Sequence, residues 1–110
     1  MGKSGSEMLH GTLELLVLKL LERESMNGFA IGQRMRSITD DALVVDEGSL
    51  YPALYRMERR GWLVASWGRT PKNRRAKFYR LTASGRKQLG LETANWVGFS
   101  ESVRKILGSG

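Results

Sequence analysis

The apolar residues of this chain recur first at helical spacing, then in alternation, then at helical spacing again. Between residues 9 and 24 they fall at i, i+3, i+4, i+7 and i+8, one face of an amphipathic helix. These positions are Leu13, Leu16, Val17, Leu20 and Leu21. A first helix is therefore predicted over this interval.

Two further helices are predicted before residue 61. The second begins at Asn27-Gly28, with Asn27 as its N-cap, and ends between Ser37 and Thr39. A turn and a very short extended piece at 43–45 lead to the third helix, which runs from residue 47 or 48 to residue 60, with Asp46 as N-cap and Gly61 as C-cap. The apolar contacts of the second helix are expected from Phe29, Ile31, Met35 and Ile38.

After residue 61 the spacing of the apolar residues changes from helical to alternating, and after residue 82 it becomes helical again. Residues 62–67 and 76–81 are rich in β-branched and aromatic residues, and a basic loop over 68–75 joins them into a hairpin. Thr82 can cap a last helix over 83–107. The order of elements predicts an α+β fold, mainly α: a winged helix-turn-helix with a long C-terminal dimerisation helix. We expect a disordered tail over residues 1–8, a DNA-binding domain over 9–82 and the dimerisation helix over 83–107.

The charge of the chain is concentrated in one segment. The 110 residues carry a net charge of +7, but residues 1–55 alone carry −3. Residues 56–87 hold eleven basic side chains against Glu58 alone, a net charge of +10. A positive field confined to about thirty residues is typical of a surface that binds nucleic acid.

Composition excludes several other classes of protein. The chain has no cysteine and one histidine, so thiol chemistry, disulfides and most metal sites are excluded, and we expect no catalytic residues, metal or cofactor. Charged residues interrupt every apolar run before the roughly 18 residues that a membrane span needs. The polar N-terminus lacks a secretory signal, and a cytoplasmic protein without a membrane partner is predicted.

Three segments in order resemble the PadR family of bacterial transcriptional regulators, in its short subfamily. They are GTLELLVL at 11–18, GSLYPALYRMERRGWL at 48–63 and RAKFYRLT at 75–82, with Gly85 following. The resemblance covers residues 9–107. It implies a winged-helix repressor that dimerises through its last helix and is released from DNA by a small hydrophobic effector.

One segment departs from the family pattern. The family usually has His-Gly-Tyr and then an acidic residue at the start of the second helix, whereas this chain has Asn-Gly-Phe-Ala at 27–30. Phe29 lacks the hydroxyl group that a tyrosine could offer to a DNA phosphate.

The helical projection of the third helix separates a core face from an outward face. Leu50, Ala53, Leu54 and Met57 share the core face. The major groove of DNA admits one helix, and arginine can read guanine with two hydrogen bonds. The DNA-binding residues predicted on this helix are Ser49, Tyr51, Tyr55, Arg56 and Arg59. Arg56 is the preferred base reader, Ser49 is better placed for a phosphate, and Tyr51 can equally pack at the joint between helices.

The hairpin loop supplies a second group of candidate DNA contacts. A flexible basic tip can follow phosphates or place an arginine in the minor groove. The candidates are Arg69, Lys72, Asn73, Arg74, Arg75 and Lys77.

The last helix carries an apolar stripe that lacks a partner within so small a chain. We expect a second copy of the chain to cover it, giving a homodimer. The predicted interface residues are Leu89, Trp96, Phe99, Val103 and Ile106. Trp96 can lie in the core, at the interface or against an effector.

Two other interpretations stay open at this point. An RNA-binding winged helix would need exposed aromatic residues on its sheet, and Trp67, Phe78 and Tyr79 are the available ones. A protein-binding winged helix would leave the basic segment without a role. The long last helix favours a dimeric repressor on double-stranded DNA.

Overall fold

In a computed structural model of this chain, residues 2–109 form four helices and a three-stranded antiparallel sheet, and side chains are described for residues 11–109. The helices are α1 (Gly2–Leu20), α2 (Gly28–Ile38), α3 (Glu47–Arg59) and α4 (Ala83–Gly108). The strands are β1 (Met26–Asn27), β2 (Leu63–Arg69) and β3 (Arg75–Leu81). The predicted winged helix-turn-helix with a long last helix is confirmed. The tail predicted over 1–8 lies outside the described side chains.

Three helices begin at the side chains expected to cap them. The Asn27 Oδ1 accepts a hydrogen bond from the Ala30 N–H at 2.7 Å, and the Thr82 Oγ1 accepts one from the Gly85 N–H at 3.0 Å. Asp46 caps α3 in the same way. A short polar side chain before each helix satisfies a backbone donor that has no partner inside the helix.

The sheet contains a strand that the alternation of residues does not predict. Its order is β1–β3–β2, with Met26 opposite Tyr79 and Leu63 opposite Leu81. β1 has only two residues, too few for a period of two to be visible in a sequence. It fixes the start of α2 to the sheet.

The first helix ends earlier than predicted. α1 stops at Leu20, whereas its apolar spacing suggests residue 24. The chain must leave the helix to bring Met26 beside Tyr79 in the sheet. The extended piece predicted at 43–45 has no regular structure, although Leu43 and Val45 pack against the core.

The prediction for α2 is half wrong. Ile31 and Met35 are buried, one helical turn apart, but Phe29 is 67% exposed and Ile38 is 61% exposed. Phe29 lies on the opposite side of the helix from Ile31, and Ile38 is the last residue of the helix. Neither side chain therefore belongs to the core.

A single core joins all four helices to the sheet. Its largest fully buried side chains are Leu18 of α1, Leu21 just after α1, Ile31 of α2, and Leu54 and Met57 of α3. Leu89 of α4 belongs to the same cluster, so the first two turns of α4 are part of the domain. Among the helices described, none has the length and apolar character to cross a membrane.

The end of α3 and the start of α4 meet at one point, which we call the Trp62 junction (residues 61–62 with 82–85). The Trp62 carbonyl accepts a hydrogen bond from the Thr82 N–H at 3.0 Å, and the Thr82 hydroxyl donates to the Gly61 carbonyl at 2.6 Å. A Cβ atom at Gly85 would overlap the Trp62 carbonyl oxygen. The backbones approach so closely because residue 85 has no side chain.

Candidate nucleic-acid interface

The orientation of α3 is set by its ends and its core face. The Asp46 carboxylate accepts from the Ser49 N–H at 2.8 Å, and Gly61, at φ 80°, ends the helix. The Gly61 and Trp62 N–H groups donate to the carbonyls of Glu58 and Met57, the Schellman arrangement. The predicted core face is buried: Leu50, Ala53, Leu54 and Met57. The opposite face is therefore held outward whether or not a ligand is present.

Tyr55 and Arg59 form a pair on this outward face. Tyr55 is 58% exposed, and its hydroxyl accepts a hydrogen bond from the Arg59 Nη1 at 3.1 Å. The Arg59 guanidinium carbon also lies 5.7 Å from the centre of the Tyr55 ring. The ring limits the positions open to the guanidinium, so the arginine is partly ordered before any contact with DNA.

Arg56 is held differently from Arg59. Its Nε lies 3.4 Å from a carboxylate oxygen of Glu14 on α1, and the same carboxylate binds Arg60 at 3.1 Å. The pair turns Arg56 toward α1, to one side of the outward face. Both arginines remain exposed, and the preference for Arg56 as base reader stays a prediction.

Tyr51 and Ser49 lie at the edges of α3. The Tyr51 ring packs against Gly28, where a Cβ atom would come within 2.6 Å of the ring. This contact supports the joint between α2 and α3, although Tyr51 remains exposed. Ser49 is half-buried beside a cavity of about 410 Å³, whose wall also includes Glu14, Arg56 and Glu92.

The tip of the hairpin, which we call the wing tip (residues 70–74), is an ordered turn. The Thr70 N–H donates to the Arg74 carbonyl and the Asn73 N–H to the Thr70 carbonyl, both at 2.8 Å. Asn73 has φ 63°, the left-handed position that follows a type I turn in a three-residue hairpin loop. The Arg69 Nη1 donates to the Asn73 carbonyl at 3.2 Å. The loop predicted over 68–75 is shorter than expected, because β2 extends to Arg69 and β3 begins at Arg75.

The arginines and lysines of the wing, which is the hairpin of β2, the wing tip and β3, differ in how far other side chains hold them in place. The Arg75 guanidinium lies 4.6 Å from the centre of the Trp67 ring. The Lys77 Nζ lies 3.0 Å from a carboxylate oxygen of Glu58, and this hydrogen bond raises the pKa of Lys77. Lys72 and Arg74 are exposed at the wing tip. Lys77 thus fastens β3 to α3, and the wing tip supplies the outermost positive charge.

Three contacts between charged and aromatic side chains cannot be predicted from the sequence pattern. In the sequence, Glu14 is one residue of a motif, Trp67 is one aromatic residue of a strand, and Glu58 is the lone acid of the basic segment. Each acquires a role through a partner that folding brings close: Arg56, Arg75 and Lys77 respectively. The excess of bases over acids around Glu58 is the one signal that could have suggested its pairing.

The last helix presents an open apolar groove against α1. The groove encloses about 1510 Å³ and is lined by Leu15 and Leu16 of α1 and by Trp96, Phe99 and Val103 of α4. The Trp96 and Phe99 ring centres lie 6.3 Å apart. Ile106 is exposed beyond the groove. Leu89 differs from the expectation, because it is only 6% exposed and its side chain is already covered by the protomer's own core.

Comparisons with known proteins agree with this architecture. The family model described as the transcriptional regulator PadR-like family matches residues 17–91. A PadR family transcriptional regulator from Eggerthella lenta is 30% identical, with a TM-score of 0.82 over 99% of this chain and 93% of that one. A transcriptional regulator from Clostridium thermocellum is 27% identical, with a TM-score of 0.82 over 90% and 96%. An uncharacterized protein of Lysinibacillus sphaericus is 24% identical over 89% of this chain and 90% of its own length.

The matched segment includes the end of α1, all of α2 and α3, the hairpin and the start of α4. These are the elements that hold the outward face of α3 and the wing in place. Since the family match covers well over half of the sequence, this chain belongs to the PadR-like family of transcriptional regulators.

Proposed function

We propose that the chain binds double-stranded DNA as a homodimer, with α3 in the major groove and the wing on the flanking backbone. The observation that carries the proposal is the Tyr55–Arg59 pair, exposed on the side of α3 opposite a fully buried face. A helix fixed in this way can present an arginine to base edges without rearrangement. No catalytic step is part of the proposal, and the site of action is the DNA of the cytoplasm.

The wing supports the same function through its charge. Lys72 and Arg74 extend from a turn that is closed by backbone hydrogen bonds, and Lys77 ties the hairpin to α3. The positive charges therefore keep a defined distance from the helix. Such contacts with phosphates set the register of a protein on DNA but carry little sequence information.

The groove between α1 and α4 supports the dimer. Its apolar wall, with Trp96 and Phe99 exposed, suits the same helix of a second copy. Two-fold symmetry would then place two α3 helices on the two halves of a palindromic operator. We infer that the bound dimer acts as a repressor, and that a small hydrophobic effector in this groove would alter that arrangement, release the DNA and relieve the repression.

The RNA-binding alternative is disfavoured by the faces of the hairpin. In the observed register Phe78 lies opposite Ser66, on the other face of the hairpin from Trp67 and Tyr79. Tyr79 is also buried. The three aromatic residues therefore do not form the shared exposed surface on which RNA bases would stack.

Arg59→Ala is expected to relax base preference at one position in each half-site. An arginine that binds guanine with two hydrogen bonds gives about 1–3 kcal/mol of discrimination. Arg56→Ala should relax a second position. Selection of binding sites from a random duplex pool, with the wild type and each variant, measures both effects. Equal base preferences in all three proteins would show that this face does not read sequence.

Replacing Lys72 and Arg74 together by alanine is expected to weaken binding to all duplexes alike. Each phosphate contact adds about 0.9 to the magnitude of the log–log dependence of affinity on salt. The slope should therefore fall by about two per subunit if both side chains contact phosphates. Replacing Arg104 and Lys105 together by alanine, a matched loss of two positive charges on the exposed surface of α4, should leave the slope nearly unchanged. A loss confined to the preferred sequence would mean that the wing tip reads bases.

A further inference from the structure

Glu14 lies on α1, and its carboxylate reaches the arginines at the end of α3. Its side chain is 23% exposed and accepts hydrogen bonds from Arg56 and Arg60, which lie more than forty residues away in the sequence. Neither the core nor the proposed DNA contacts explain an acidic side chain at this place. It is therefore a natural candidate for a role in recognition.

The two arginines are held by Glu14 in different ways. The Arg60 Nη1 lies 3.1 and 3.4 Å from the two carboxylate oxygens, and the Arg60 guanidinium also stacks over the Trp62 ring at 5.1 Å. Arg60 thus fixes the carboxylate from the side of the Trp62 junction. Arg56 contacts it through Nε alone, at 3.4 Å.

The contact through Nε leaves the rest of the Arg56 guanidinium available. Arginine has five N–H donors in one plane, and four of them are on the two terminal nitrogens. A bidentate contact with the O6 and N7 atoms of guanine needs two donors in a fixed plane. A carboxylate on Nε restricts that plane without using the terminal donors.

We propose that Glu14 is a positioning residue that orients Arg56 to read a guanine, so that part of the sequence specificity of α3 is set from α1. The proposal rests on the DNA-binding function proposed above. Glu14 touches no base itself. Its effect reaches the DNA through the orientation of Arg56.

This role predicts opposite effects of Glu14→Gln on two affinities. The substitution removes a negative charge close to the interface, so binding to a random duplex should become tighter. The Arg56 guanidinium loses its charged partner and its fixed plane, so discrimination at its base pair should fall about tenfold, within the range that one such contact supplies. A side chain with a merely structural role would not change base preference.

The experiment titrates three duplexes with the full-length protein. One carries the selected operator, one has the Arg56-dependent base pair exchanged in both half-sites, and one has a random sequence. Glu24→Gln serves as the control, because it makes the same change of charge at an exposed position after α1. The control should retain the wild-type ratio between the first two duplexes, whereas Glu14→Gln should lose most of it.

A double-mutant cycle identifies Arg56 as the intermediary. In the Arg56→Ala background, adding Glu14→Gln should cause no further change in the ratio. Thermal unfolding of each variant shows whether the proteins compared are folded, which is expected because the two ion pairs of Glu14 involve half-exposed arginines.

Two results would overturn the inference, and they are distinguishable. If Glu14→Gln tightens binding to the first two duplexes equally, Glu14 competes with DNA for Arg56 and does not orient it. If the wild type itself does not discriminate between the operator and the random duplex, the proposed function fails and the inference fails with it.

Discussion

Phe99→Glu is expected to convert the proposed dimer into monomers and to weaken binding to a palindromic duplex by about two orders of magnitude or more. Phe99 is 63% exposed in the groove between α1 and α4, where a second copy would bury it, and an unpaired carboxylate is strongly disfavoured in an apolar interface. Loss of the second half-site contact removes the gain of about 10²–10⁴ that linked binding provides. Light scattering and titration of the duplex measure the two effects.

Val97→Glu is the matched control on the same helix. Val97 is 47% exposed but is not among the residues that line the groove. It introduces the same charge at an exposed apolar position and should leave the dimer intact. Removal of all residues after Gly90 should reproduce Phe99→Glu, because Leu89 and its core contacts are retained. A wild-type protein that is monomeric at tens of micromolar would refute the dimer.

Gly85→Ala is expected to lower the free energy of unfolding by about 2–3 kcal/mol or more, because the new methyl group would overlap the Trp62 carbonyl oxygen. Backbone atoms cannot rotate away as a flexible side chain can. The start of α4 would have to separate from the end of α3. Chemical denaturation followed by circular dichroism, at one protein concentration, gives the loss.

Gly90→Ala tests the same substitution in the same helix without the overlap. A Cβ atom at Gly90 meets nothing within 4 Å. Alanine is favoured over glycine inside a helix by about 0.5–1 kcal/mol, so this variant should be slightly more stable than the wild type. Similar stabilities for the two alanine variants would show that the contact at Gly85 is not tight.

Local signals in the sequence predict much of this fold. Asn27, Asp46 and Thr82 each cap the helix that they were expected to cap, and Gly61 ends α3 in the left-handed conformation. The core face of α3 follows from its spacing alone. These features depend only on a few neighbouring residues, so they can be predicted from the local sequence.

Features that depend on distant residues could not be predicted in this way. β1 forms because Met26 pairs with Tyr79 of β3. Leu89 is buried because the first turns of α4 pack against the core. Periodicity shows that Leu89 is on an apolar face, but it cannot separate the part of that face that the protomer covers from the part left for a partner.

The same limit applies to the candidate site. The sequence correctly places Arg56 and Arg59 on the side of α3 away from the core. It cannot show that Glu14 holds one of them and Tyr55 the other. Nor can it show that Lys77 is engaged with Glu58, whereas Lys72 extends from the wing tip. Equal formal charges therefore have different availability to a ligand.

The Trp62 junction holds α4 near its first residues, and the rest of the helix extends well beyond that contact. From Gly85, which packs against the Trp62 carbonyl just after the end of α3, the helix extends about 35 Å to Gly108. In the proposed dimer, a tilt of about 5° at the Trp62 junction would move the far end of α4 by about 3 Å, close to the rise of one base pair along DNA. A small movement of the backbone atoms at the junction would therefore change the distance between the two α3 helices of the dimer. In such a dimer, a tilt of a few degrees would thus be sufficient to shift one α3 helix relative to its half-site by about one base pair.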